Sequence, residues 1–144
     1  MVFALCACGA KTEAPAAEAP AAEAPAAEAP AEAPAKVRIG MVTDVGGVND
    51  KSFNQTSWEG LQALDPEVFE VNYLESKTDA DYTGNIQTFI DEDYDLIISV
   101  GYQLANATRE AAQANPDQKF AIIDDSSIDL PNVACLMFAQ NQAY

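Results

Sequence analysis

Five prolines at close and nearly regular spacing (Pro15, Pro20, Pro25, Pro30 and Pro34) constrain this chain more than any other feature. Each belongs to a Glu-Ala-Pro-Ala-Ala unit, begun at Glu13, Glu18, Glu23 and Glu28 and closed by a shortened Glu32-Ala-Pro-Ala. Ala and Glu favour helix, but a proline in every unit removes a backbone donor and fixes φ, so no helix can propagate. From Lys11 to Ala35 the sequence therefore predicts a semi-rigid, partly polyproline II linker. At about 3.1 Å per residue it reaches at most roughly 80 Å. A packed core has to come from residues 36–144.

The charge is lopsided, with 23 Asp plus Glu against 7 Lys plus Arg and no His in 144 residues, net −16. Five of the acidic residues lie in the repeat, which leaves 18 against six basic residues after it, near −12. Phosphate affinity rests on Lys and Arg, so nucleic acid is not an expected partner. The missing His excludes His-based acid/base catalysis, triads and zinc sites. Three cysteines (Cys6, Cys8, Cys135) are too few and too scattered for a disulfide framework or a four-thiolate metal site.

Ahead of the repeat, Met1-Val-Phe-Ala-Leu-Cys-Ala-Cys-Gly9 is apolar but too short to span a bilayer. It reads either as a plain disordered terminus or as the end of a lipoprotein signal peptide. In the second reading Leu5 lies three before the acceptor, small Ala7 just before it, and Cys8 carries the lipid. The charged and most of the apolar part of such a signal would then be missing. The division expected is a truncated signal at 1–8, a linker at 9–35 and a globular unit at 36–144.

In that unit, Val37 to Thr43 reads as a strand ended by Asp44 and the glycines Gly46 and Gly47. Ser52 and Gln55 have the spacing of a capping box, and Trp58, Leu61 and Leu64 continue a helix from Phe53 until Asp65-Pro66 stops it. Phe69 to Leu74 alternates as a strand, and Tyr82, Ile86, Phe89 and Ile90 recur at helical spacing. Asp95-Leu-Ile-Ile-Ser-Val100 is a continuous apolar run, as in a strand covered on both faces. A helix from about Leu104 to Ala114, a strand at Lys119 to Ile123 and a last strand from about Val133 to Phe138 complete the order. Such alternation predicts an α/β fold, a doubly wound parallel sheet of strand order 2-1-3-4-5.

In open sheets of this kind ligands bind beyond the carboxyl ends of the strands, near the switch in strand order. The candidate segments are therefore Asp44 to Phe53, Gly101 to Gln103, and Asp124 to Ser126. A carboxylate at a strand end can accept two hydrogen bonds from vicinal hydroxyls. An exposed aromatic at a helix N-terminus offers a face for a base. Each residue also has a structural reading. Asp44 can cap the next turn, Phe53 can belong to the core, Asn54 can bond the first helical turn, and Asp124 competes with Asp125 for the inward position.

The stretch Val42-Thr-Asp-Val-Gly-Gly-Val-Asn-Asp-Lys-Ser-Phe-Asn-Gln-Thr-Ser-Trp-Glu-Gly60 closely resembles the signature of the BMP (basic membrane protein, PnrA-like) family. The likeness continues through Ser99 to Ala105, Asn115-Pro116, Lys119 to Asp124 and Pro131-Asn132-Val133, with Asn49 and Thr56-Ser57 as departures. These are substrate-binding lipoproteins of ABC importers for nucleosides, so the resemblance implies a type I periplasmic-binding-protein-like fold of two lobes. This chain would supply the first lobe, with the second missing. It also implies a nucleoside ligand, an ABC permease as partner, a lipid anchor at the extracytoplasmic face of the cell membrane, and no cofactor. Carried over by residue, the implied ligand contacts are Asp44, Phe53, Asn54 and Asp124.

Three classes of function fit. They are a solute-binding lipoprotein, a ligand-sensing or sugar-binding lobe of the same fold, and an enzyme using a pair such as Asp124-Asp125. The last lacks a nucleophile elbow or cofactor fingerprint, and the Asp44 loop has no phosphate-binding Lys-Ser/Thr. Asp91-Glu92-Asp93 reads as a solvated helix end, not a metal site. Cys135 reads as a small buried hydrophobe.

Overall fold

The computed structural model describes residues 35–139. The expectations for 1–8 and 9–35, with lipidation at Cys8, lie outside the described residues. Five strands alternate with three helices. They are β1 (Val37–Val42), α1 (Phe53–Gln62), β2 (Phe69–Leu74), α2 (Asp81–Asp91), β3 (Leu96–Val100), α3 (Ala105–Ala114), β4 (Lys119–Ile123) and β5 (Val133–Leu136). A turn of 3-10 helix, Tyr102–Leu104, leads into α3.

The strands are all parallel in the order β2-β1-β3-β4-β5, as the alternation predicts. Their register aligns the carboxyl ends, with Val42 beside Leu74 and Ser99, Val100 beside Ile123, and Ile123 beside Leu136. The residues that follow, Glu75, Asp44, Gly101, Asp124 and Met137, thereby line one rim.

The main core lies on one face, where Tyr82, Ile86 and Phe89 of α2 and Ala107 and Ala112 of α3 pack on Val42, Ile97 and Phe120. Glycine at position 40 lets α2 come close, since a Cβ there would lie 2.5 Å from the Phe89 ring. On the other face Trp58 and Leu61 of α1 cover Met41 and Val100. Burying both faces explains the unbroken apolar run of β3. At the end of α2, Arg38 donates to the Glu92 carbonyl, stacks over Tyr94 and pairs with Glu70 at 3.2 Å.

Two local expectations are corrected. The last strand stops at Leu136, not Phe138, because its partner β4 ends at Ile123 and Asp124 turns into the left-handed region at φ 66. Residues beyond Leu136 therefore have no ladder to join. β5 packs Val133 and Cys135 against Ile122 and Ile128, with Cys135 Sγ 3.3 Å from the Ile128 carbonyl, and leaves Leu136 half exposed; Cys135 is only half-buried, short of the buried position its sequence context suggests. The expected capping box is also absent. Ser52 makes no side-chain cap, and the Gln55 amide instead reaches Glu59 at 2.8 Å.

Candidate ligand site at the strand ends

The first helix is capped by Asp50. Its carboxylate accepts from the backbone N–H groups of Ser52 (2.8 Å), Gln55 (3.0 Å) and Asn54 (3.1 Å), and from the Asn54 side-chain amide (3.0 Å). A charged acceptor at a helix N-terminus outcompetes a neutral hydroxyl, because it takes several orphan donors and faces the positive end of the dipole. Burial pushes the Asp50 pKa up, but the bonds from Gln55, Ser52 and Asn54 outweigh it and hold the group below the ordinary 3.8.

A depressed pKa gives stability that is present above the ordinary value and lost as pH falls through the folded one. Acid unfolding of the parent should therefore contain a step below pH 3.8 that is missing in Asp50→Ala. That variant should also lose about 1 kcal/mol at neutral pH. Parallel pH–stability curves for the two proteins would contradict this.

The same loop fixes Asp44. Its Oδ1 accepts from the Gly46 N–H at 2.8 Å and from the Asn54 amide at 2.7 Å. No hydrogen bond among the described residues reaches Oδ2. One oxygen closes the turn, as the structural reading of Asp44 expects, and the other remains open. Oδ2 lies at the end of β3, 3.5 Å from where a Cβ on Gly101 would sit. The loop is braced from β2 by Glu75, which accepts from Val48 N–H at 2.9 Å and pairs with Lys77 at 2.9 Å. Those two partners, Val48 first, lower the Glu75 pKa.

Asn54 is fully buried, and its amide bridges Asp44 and Asp50 while its Oδ1 has no partner among the described residues. It stands behind the site and orients Asp44. Phe53, by contrast, is 43% exposed and opens onto a cavity of about 460 Å³. The cavity is walled by Thr56 on α1, by Ile123 and Leu136 at the ends of β4 and β5, and by Met137 and Phe138. It forms because α1 covers β1 and β3 on this face and nothing described here covers the exposed side of β5.

Asp125 is taken by its own turn, accepting from Ser127 N–H at 2.7 Å and Ser127 Oγ at 2.8 Å. Asp124 is half-buried and its carboxylate makes no hydrogen bond among the described residues. Its N–H is held by the Leu136 carbonyl at 2.9 Å. β3 separates β1 from β4, so Asp44 and Asp124 stand about two strand spacings, roughly 10 Å, apart. A polar cavity of about 300 Å³ opens between α2 and α3, with Gln103 and Asp79 in its wall.

Sequence reasoning missed Asp50, Glu75 and Phe138. Asp50 carried a signal, an Asp two residues before a Ser at a helix start, but the Ser-x-x-Gln pattern has the same form. The other two act through contacts distant in sequence. Among the described residues no helix is long and apolar enough to cross a membrane.

Residues 36–144 match the family described as ABC transporter substrate-binding protein PnrA-like. The chain is 43% identical over 109 residues to a CD4+ T-cell-stimulating antigen of Listeria monocytogenes, covering 72% of this chain and 30% of that protein. It is 38% identical over 112 residues to the ABC transporter nucleoside-binding protein BmpA of Lactococcus lactis subsp. cremoris, covering 74% and 32%. It thus spans under a third of the length of these relatives. A solved fragment from Peptoclostridium difficile 630, provisionally described as a lipoprotein, superposes with a TM-score of 0.65 at 27% identity, covering 75% of this chain and 90% of that one. With its strand order, its Asp44-to-Gln55 loop and this match over the whole globular unit, the chain belongs to the PnrA-like (Bmp) family of ABC transporter substrate-binding proteins.

Proposed function

We propose that residues 36–144 form the first lobe of an extracytoplasmic solute-binding protein that delivers a nucleoside, a purine one foremost, to an ABC permease. The protein is held to the membrane by a lipid on Cys8. One observation carries the reading: at the strand ends a carboxylate with one oxygen fixed and one open, Asp44, shares a rim with an exposed aromatic, Phe53. Asp44 Oδ2 accepts from ribose hydroxyls, Phe53 stacks on the base, and Asn54 works from behind by orienting Asp44. Asp124 accepts from donors at the far end of the ligand. The nucleoside-binding name of the Lactococcus relative supports this choice of ligand. The family name describes a solute-binding protein and not an enzyme.

Binding proteins of two lobes draw much of their affinity from contacts on the second side, made on hinge closure. The lobe alone is therefore expected to bind nucleosides in the millimolar range or weaker, about 4 kcal/mol or less. NMR titration of the 144-residue chain with adenosine, inosine, guanosine and a simple sugar is the test. Shifts at Asp44, Phe53 and Asp124 with the nucleosides are the expected result. Submicromolar binding would contradict the need for a second side, and binding of sugars without nucleosides would make this a sugar-binding lobe.

A further inference from the structure

The stacking face of Phe53 already has an occupant. The Phe53 and Phe138 rings lie with centroids 5.3 Å apart and planes tilted by 36°. Both line the 460 Å³ cavity, so the side of Phe53 that Phe138 covers is the side that faces it. A flat ring inserted between two others needs two contact layers of about 3.5 Å, roughly 7 Å in all. The observed spacing leaves no such room. A base can reach this face of Phe53 only if Phe138 leaves it.

Phe138 is placed to leave. It lies two residues past Leu136, the last residue paired to β4, so among the described residues no sheet hydrogen bond holds its backbone. Its own side chain is 50% exposed, and the core does not depend on it. The cavity walls next to it, Ile123, Leu136 and Met137, are apolar and offer the displaced ring or the incoming base the same kind of surface.

We propose that Phe138 is a built-in competitor for the Phe53 platform, covering it in the empty site and yielding it to a ligand ring. This rests on the stacking role given to Phe53 above. A ligand's net gain is then what its ring adds beyond the phenyl contact it replaces. A bicyclic purine overlaps Phe53 more widely than Phe138 does, whereas a monocyclic pyrimidine offers about the same area. The contact thus sets a threshold that the larger bases pass.

The experiment compares the parent 144-residue chain with Phe138→Ala and Phe53→Ala, by NMR titration with adenosine, free purine and cytidine, after melting curves have shown all three folded. Removing the competitor should tighten adenosine and purine binding by about 2- to 13-fold, the weight of one aromatic pair. Cytidine binding should rise by the same factor. In the parent, contacts between the Phe53 and Phe138 rings should disappear from the spectra as purine saturates. Unchanged or weaker binding by Phe138→Ala, alongside a loss in Phe53→Ala, overturns the competitor and leaves the stacking role standing. Parent-like affinity for adenosine and purine in Phe53→Ala, or no binding of any ring by either the parent or Phe138→Ala, removes the stacking role and the competitor together.

Discussion

Alanine at position 101 should destabilise the protein by roughly 1 to 3 kcal/mol and disturb the rim beside Asp44 at the same time. Gly101 sits at φ 100 and ψ 145, a conformation that an L side chain rarely adopts. A Cβ there would lie 2.8 Å from Gln103 Oε1 and 3.5 Å from Asp44 Oδ2. The backbone strain carries the cost, because the flexible end of Gln103 can swing aside. Gly60→Ala is the control, because Gly60 lies within α1 with nothing within 4 Å of a Cβ, and there alanine should be neutral or stabilise by up to about 1 kcal/mol. Thermal and urea unfolding of both variants decide the matter. A parent-like melting temperature for Gly101→Ala would show that the turn after β3 can relax without cost.

The second large effect is on binding. Asp44→Ala should remove one or two charge-assisted hydrogen bonds, about 1.5 to 3 kcal/mol each. In a protein that binds in the millimolar range, that takes ribosides below detection. Phe53→Ala should cost a purine the stacking of one base on one aromatic, about 1 to 3 kcal/mol, less the Phe138 contact that the base displaces. The two variants report on different halves of a nucleoside. A free purine should feel Phe53 and hardly notice Asp44, while a sugar without a base should do the reverse. Phe53 is too exposed to be a core residue, whose removal would cost about 3 to 5 kcal/mol of stability, so Phe53→Ala should keep the parent's melting temperature, whereas Asp44→Ala gives up the Gly46 and Asn54 bonds and should melt lower. Equal loss of purine and riboside binding in Asp44→Ala would mean that Asp44 shapes the loop and does not hold the sugar.

The architecture was legible because it depends on patterns within a few residues. Apolar runs of strand length alternating with helical spacing, and stops at Asp65-Pro66 and Asn115-Pro116, suffice for a parallel sheet in the order β2-β1-β3-β4-β5. They also locate its carboxyl edge, and with it the segments around Asp44, Phe53 and Asp124. What local pattern could not decide was which way side chains turn on that edge. Ser52 and Asp50 are both sound helix caps by residue type. The choice fell to Asp50 because the loop brings three backbone donors onto one carboxylate.

Asn54 and Phe53 are neighbours at the start of one helix, yet the helical turn points one inward to Asp44 and the other out to the cavity. Asp124 and Asp125 separate in the same way, once Ser127 claims the second and positive φ turns the first. The end of β5 and the Phe53–Phe138 contact lay furthest from reach. The strand stops where its partner stops, and the two rings come from positions 85 residues apart in the chain. Sequence by itself thus determined which elements form, their order and where the carboxyl edge of the sheet lies, since these follow from periodicity and chain breakers. Which oxygen stays open, which ring is covered and which acid caps were decided by tertiary structure alone, because each is settled by competition among groups that meet only after the sheet has assembled.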